Sequence, residues 1–170
     1  MTNLMYETGV AASINSMKNL AMLLDKAEAF ATERKFDVDV LMQSRLAPDM
    51  FPLGFQVYIA ATFAKNLACR LAGQEPPDYP REQMTIAAAR ALIARTIDIL
   101  SAIKPDALNG SEAKPITFNV APDTAKTMPG AAYMNKFAIP NIMFHVTTAY
   151  AILRHNGVQI GKRDFIGSLD

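Results

Sequence analysis

The sequence predicts an all-α protein built as a four-helix bundle, with a short β-hairpin or strand excursion between the third and fourth helices. Three observations carry this expectation. Four long segments repeat apolar residues every three to four positions. Pro and Gly gather mainly in the connections between them. One connection, from Pro105 to Pro129, instead alternates apolar and polar residues at Ile116, Phe118 and Val120, as a half-buried strand does. Short first and second connections with a longer third make a bundle the economical way to bury four apolar stripes.

The first segment, from about Asn3 to Arg34, has no Pro and one Gly, and Val10, Ile14, Met17, Ala21, Leu24 and Ala31 recur at helical spacing. Lys18, Asp25, Glu28 and Glu33 fall on the other side, where a solvated face belongs. Val40, Leu41, Met42 and Leu46 suggest a short helix ending near the Ala47-Pro48 step, because the residue before Pro is pushed out of the helical region. Pro52 suits the first turn of the second long helix, Phe55, Ile59, Phe63, Leu67 and Leu71 form its stripe, and Gly73 is placed to end it. The following QEPPDYP cannot be helical.

A third helix is expected from about Glu82 to Lys104, with Ile86, Ala89, Ile93, Ile97, Leu100 and Ile103 inward and Pro105 closing it. Its small residues Ala87 to Ala89 would let a neighbour approach closely. The fourth helix should begin between Ala131 and Pro140, with Pro140 marking a kink or a restart. Its body, NIMFHVTTAYAILRHNG from Asn141, is apolar on nearly every side, so all its faces need cover. Asn156-Gly157 is a good stop signal, and the tail VQIGKRDFIGSLD is then free to fold back.

Composition narrows the function classes. The chain's 170 residues suit one domain spanning residues 1–170, with ample apolar content for a core. Lys plus Arg number 17 against 16 for Asp plus Glu, leaving a formal charge of +1 and no basic excess to follow a phosphate backbone. Nucleic acid is therefore not an expected partner. Cys69 stands alone between Leu67 and Leu71, which reads as an inert buried thiol in a reducing compartment. No apolar run approaches the roughly 18 to 20 residues that span a bilayer, so a cytoplasmic protein without membrane partners is expected. No Gly-rich phosphate loop, paired Cys motif or nucleophile elbow is present.

Candidate site residues concentrate on the fourth helix. His145 lies on its apolar body, where a ring needs partners for its nitrogens, and with Thr148 beside it either a small-molecule pocket or a satisfied core histidine is expected. Arg154 and His155 sit in the last turn before Gly157, where positive groups favour the helix C-terminus and can meet its free carbonyls. An ion pair from Arg154 to Asp164 or Asp49 would pin the tail or the Pro-containing loop, and Arg45 with Asp49 is expected to fix the loop around Pro48. Phe144 and Ala151 point away from the Ile142, Val146, Ala149 and Leu153 stripe. Either the tail, with Ile160, Phe165 and Ile166, or a second subunit must cover them, and a homodimer is the expected assembly.

The pieces RLAPDMFPLGFQV (Arg45 to Val57) and FHVTTAYAILRHNGVQIGKRDF (Phe144 to Phe165), with LLDKAEAFA on the first helix, resemble a family of uncharacterised bacterial and fungal proteins. That family is similar in fold to the DinB/YfiT-like superfamily of four-helix bundles. The resemblance implies a DinB-like bundle, and in the wider superfamily a metal site of three His, one from an earlier helix and two spaced four apart on a later one. Such spacing puts both rings on one helical face. Here His145 matches the first of the pair, Ala149 stands four residues on and cannot bind a metal, and the second helix offers Gln56 near where the earlier His would be sought, which makes Gln56 the expected partner of His145 in either reading. His155 lies about 15 Å further along the axis and roughly 80° around it. No metal or other cofactor is therefore expected. The first functional expectation is a bundle that binds a small ligand or a partner through a degenerate metal site. A metal- or thiol-cofactor-dependent transferase or hydrolase and a purely structural dimer are the alternatives.

Overall fold

The computed structural model describes residues 3–81 and 84–168. A π-helical turn at Tyr6–Ala11 runs directly into α1 (Ala12–Arg34), followed by the short α2 (Asp39–Met42), α3 (Leu53–Leu71) and α4 (Ile86–Ala102). A 3-10 turn at Pro105–Leu108 leads to the antiparallel hairpin β1 (Pro115–Ala121) and β2 (Thr124–Pro129), paired from Pro115 opposite Pro129 to Asn119 opposite Ala125 and, past an irregularity, Ala121 opposite Thr124. The chain then stays helical through α5 (Gly130–Tyr133), a second π-helical turn at Met134–Ala138 and α6 (Ile139–His155), and ends in α7 (Lys162–Ile166). The long helices α1, α3, α4 and α6 form the bundle, and the hairpin lies between the third and fourth of them.

Packing follows from residue size. On α3, Ala60, Ala61, Ala64 and Ala68 are fully buried and let α4 and α6 approach from either side. Leu20, Leu23 and Leu24 of α1, Leu67 of α3, Leu100 of α4 and Ile152 and Leu153 of α6 fill the centre without measurable exposure. Inward positions Ile86, Ala89, Ile93 and Leu100 of α4 are buried as the periodicity predicts, but Ala87 and Ala88 face solvent, so only Ala89 serves close approach.

Element ends have local causes. Lys35 takes a left-handed conformation and its N–H bonds the Ala31 and Thr32 carbonyls to close α1. The short helix after it stops at Met42, earlier than Ala47, and Leu46 is exposed. Pro52 is the N-cap of α3 rather than its first helical residue. The α4 start expected at Glu82 lies outside the described residues; the helix is capped at Thr85, whose Oγ1 accepts from Ala88 N–H, and Asp39 Oδ1 accepts from Ile86 N–H at 2.7 Å. Pro140, in the first turn of α6, lacks the N–H that an uninterrupted helix would need, and the π-helical turn just before it absorbs the mismatch. This is the expected restart, achieved without leaving helical geometry.

Two straps complete the fold. Lys65 of α3 is buried, with Nζ donating to the Pro77 carbonyl at 2.5 Å and lying 4.1 Å from the centre of the Tyr79 ring, which holds the Pro-rich connection against the bundle. Burial lowers the Lys65 pKa and raises that of Cys69 one turn on, in keeping with an unreactive thiol. At the other end, Asn19 Nδ2 donates to the Phe165 and Ile166 carbonyls and seats α7 on α1.

Gly130 joins hairpin to helix where a Cβ would run into the Ser111 carbonyl of the backbone. A backbone atom cannot swing away as a side chain can, so Gly130→Ala should lose at least about 2 kcal/mol in urea unfolding. Unchanged stability would show that the 111–130 contact is looser than described.

Candidate functional site

His145 projects from α6 toward α3 with 9% of its surface exposed, and its Nδ1 lies 2.7 Å from Gln56 Oε1. The proton's position follows from the second bond of the same amide. Gln56 Nε2 donates to the Phe51 carbonyl at 2.9 Å. A carbonyl can only accept, so the amide nitrogen must face Phe51 and the amide oxygen must face the ring. Nδ1 therefore carries the hydrogen, and Nε2 is left as a lone pair that no described residue engages.

Aromatic rings frame this imidazole. Phe63 of α3 stacks nearly parallel to it, with ring centres 6.3 Å apart, and Phe144 meets it edge-on at 5.1 Å. The series continues from Phe63 to Phe137 at 5.4 Å and from Phe137 to Phe118 of the hairpin at 4.5 Å. In this weakly polar setting desolvation lowers the His145 pKa to about 4, so the ring is neutral at pH 7. A neutral imidazole with one nitrogen fixed as donor can use the other as a hydrogen-bond acceptor or a weak base.

The remaining candidates separate. Thr148 is buried on the same helix, but its hydroxyl donates to the Phe144 carbonyl at 2.7 Å and makes no bond to His145. Arg45 does fix the loop around Pro48, though through the Met50 carbonyl at 2.6 Å and not through Asp49. Arg154 forms neither expected ion pair: Asp164 pairs with Lys26 at 2.5 Å and accepts from Gly161 N–H, which lowers its pKa. The pairing differs because α7 turns back along α1, not along the end of α6. Arg154 and His155 are exposed, and the last carbonyls of α6 are met by the N–H groups of Asn156, Gly157 and Val158. Gly157, with φ of +93°, supplies the left-handed turn that makes this possible. Cover for α6 is incomplete: Phe165 packs on Tyr150 at 5.8 Å, but Phe144 remains 57% and Met143 40% exposed.

Phe63 and the Phe51 carbonyl are parts of the site that the sequence does not single out. Phe63 is readable only as one member of a stripe, and a backbone carbonyl leaves no signature at all. The donors also do not suit a metal. Gln56 Oε1 is spent on His145, Ala149 brings no ligand, and no three His, Cys, Asp or Glu side chains converge among the described residues. No helix among those residues is long and apolar enough to cross a membrane.

Fold and site together define a DinB-like helical bundle in which one helix-borne His is held by a glutamine. The chain belongs to the DUF1993 family, a domain of unknown function, whose model matches residues 5–166. It is similar to the crystal structure of a DinB family member protein from Shewanella denitrificans, with 39% identity over 96% of this chain and 92% of that one and a TM-score of 0.89. Among curated proteins, none matches the chain.

The depressed pKa sets a pH signature. Below pH 6.5 the unfolded chain binds a proton at His145 that the folded chain refuses until about pH 4. Stability should thus be full above pH 6.5 and fall through that window by on the order of 3 kcal/mol. Urea unfolding of wild type and His145→Asn at pH 7 and pH 5 checks this: the variant should lack the His145 part of the slope. Equal slopes, or an imidazole that titrates near 6.5 by NMR, would contradict the buried neutral ring.

Proposed function

We propose that this chain is a binding module, not a metalloenzyme, and that it recognises a small, largely apolar ligand carrying one hydrogen-bond donor. The observation that carries the reading is the free Nε2 lone pair of His145, locked in its tautomer by Gln56 and bordered by Phe63 and the exposed Phe144. Apolar walls with one fixed polar group are the usual make-up of a ligand site. The ligand's O–H or N–H would meet Nε2, and its body would lie against Phe144. Rotation of the Phe144 ring is the adjustment that would admit it, since the ring sits at the surface and His145 is still 9% exposed.

Phenol and anisole, alike in shape but differing in the donor, are suitable probes. By NMR titration, phenol should shift the signals of residues around His145 and anisole should bind several-fold more weakly, with the difference lost in His145→Ala. Equal responses to the two probes, or no response at this site, would remove the proposed role of Nε2.

A second reading rests on a separate observation. From Ile139 to Leu153, α6 carries no Asp, Glu, Lys or Arg, and its outer face presents Met143 and Phe144. We propose that a second copy of the chain covers this face, since two such faces can meet about a twofold axis without burying a charge. Sedimentation of the wild type should give a dimer, and Phe144→Glu should give a folded monomer by burying a repelling pair. A monomeric wild type, or a variant that stays dimeric, would exclude this interface.

A further inference from the structure

We propose a second binding site, remote from His145, for a small molecule with a cationic amine head and an apolar body. A cleft of about 560 Å³ opens between the start of the first helix, the turn at 109–112 and the segment 131–135. Its volume is in the range of small-molecule sites. Both π-helical turns border it, Tyr6–Ala11 and Met134–Ala138, and they touch there: Thr8 Oγ1 is 3.8 Å from the Met134 sulfur, and a Cβ on Gly9 would come within 3.0 Å of the same atom. Such turns are rare, cost regular hydrogen bonding and recur at functional sites. Here the widened turns bring Met134 down onto the first helix and leave the space beside it open.

The lining divides by chemistry. Met5 and Met134 are buried and, with Ala131, make an apolar wall whose thioethers can adapt to different shapes. Asn3 is committed to structure: its Nδ2 donates to the Pro105 carbonyl and to Asn109 Oδ1, and its Oδ1 accepts from Tyr6 N–H. That bracket ties the first helix to the 105–109 turn and fixes the cleft's mouth. Glu112 and Asn135, by contrast, have no side-chain partner among the described residues. Glu112 is the one charged residue in the described lining, and it has no counter-ion there. An ammonium group on the ligand would supply that counter-ion, with the Asn135 amide oxygen as a second acceptor, while the tail displaces water from Leu4, an exposed apolar side chain of the same lining.

Hexylamine, with hexanoate as its opposite-charge counterpart, tests this on the intact chain by NMR titration. Hexylamine should shift the amide signals of residues 3–8, 109–112 and 131–135, and hexanoate should not. Glu112→Gln should weaken hexylamine about fivefold, as expected for a partly solvated ion pair. Glu112→Lys, at an exposed position that leaves folding intact, should reverse the preference toward hexanoate. Shifts confined to other residues, equal binding of the two probes, or an unchanged preference in Glu112→Lys would overturn the proposal. Because these signals are distinct from those around His145, the outcome is independent of the site proposed there.

Discussion

The hydrogen bond from His145 Nδ1–H to Gln56 Oε1 lets two otherwise apolar helix faces pack with a polar ring between them. Either partner alone would be a buried polar group short of a bond, at a cost of about 1–3 kcal/mol. Together, and with the Phe51 carbonyl taking the amide's other end, they form a short relay from the start of α3 to the middle of α6. The relay aligns α6 along α3 and sets which ring nitrogen holds the proton. It also stands where a metal ligand's supporting carbonyl would stand in a metalloprotein, since such His residues commonly donate their second N–H in this way. Ala149, one turn on, brings no ligand to the same face.

The rings around His145 extend the same logic outward. Phe63, Phe137 and Phe118 connect the α3–α6 seam to the hairpin, whose inward residues Ile116 and Phe118 are buried while most of its other positions are exposed. The hairpin is thus anchored to the bundle through Phe118 and Ile116. At the opposite border Phe144 is more than half exposed, so the aromatic series ends at the surface. The one ring nitrogen of His145 without a partner among the described residues thus lies beside an exposed aromatic ring.

How much of this is legible in sequence depends on the range of the interaction. The long helices are readable because their stripes repeat over several turns, and Gly73 and Gly157 end two of them with the positive φ that the sequence leads one to expect. The meeting of His145 with Gln56 is not readable from periodicity, since Gln56 lies off the stripe of Phe55, Ile59 and Phe63; the family resemblance points to it, by seeking an earlier-helix ligand near that position. The two π-helical turns are not readable, because one extra residue in a single turn scarcely disturbs an apolar period. Ion pairs fare worst. Asp164 has several basic candidates, and Lys26 wins over Arg154 only because Asn19 seats the tail on α1, a three-dimensional fact with no local signature. Asp39 escapes notice for the same reason, since its target, Ile86 N–H, is remote in sequence.

Gln56 occupies His145 in a relay of hydrogen bonds, and among the described residues no three His, Cys, Asp or Glu side chains converge to hold a metal. Titrating chelator-treated, untagged protein with Zn2+ by calorimetry tests it most directly, with His145→Ala in parallel. The expected result is no tight stoichiometric uptake and no difference between the two proteins. One equivalent bound tightly by the wild type and lost in His145→Ala would contradict it.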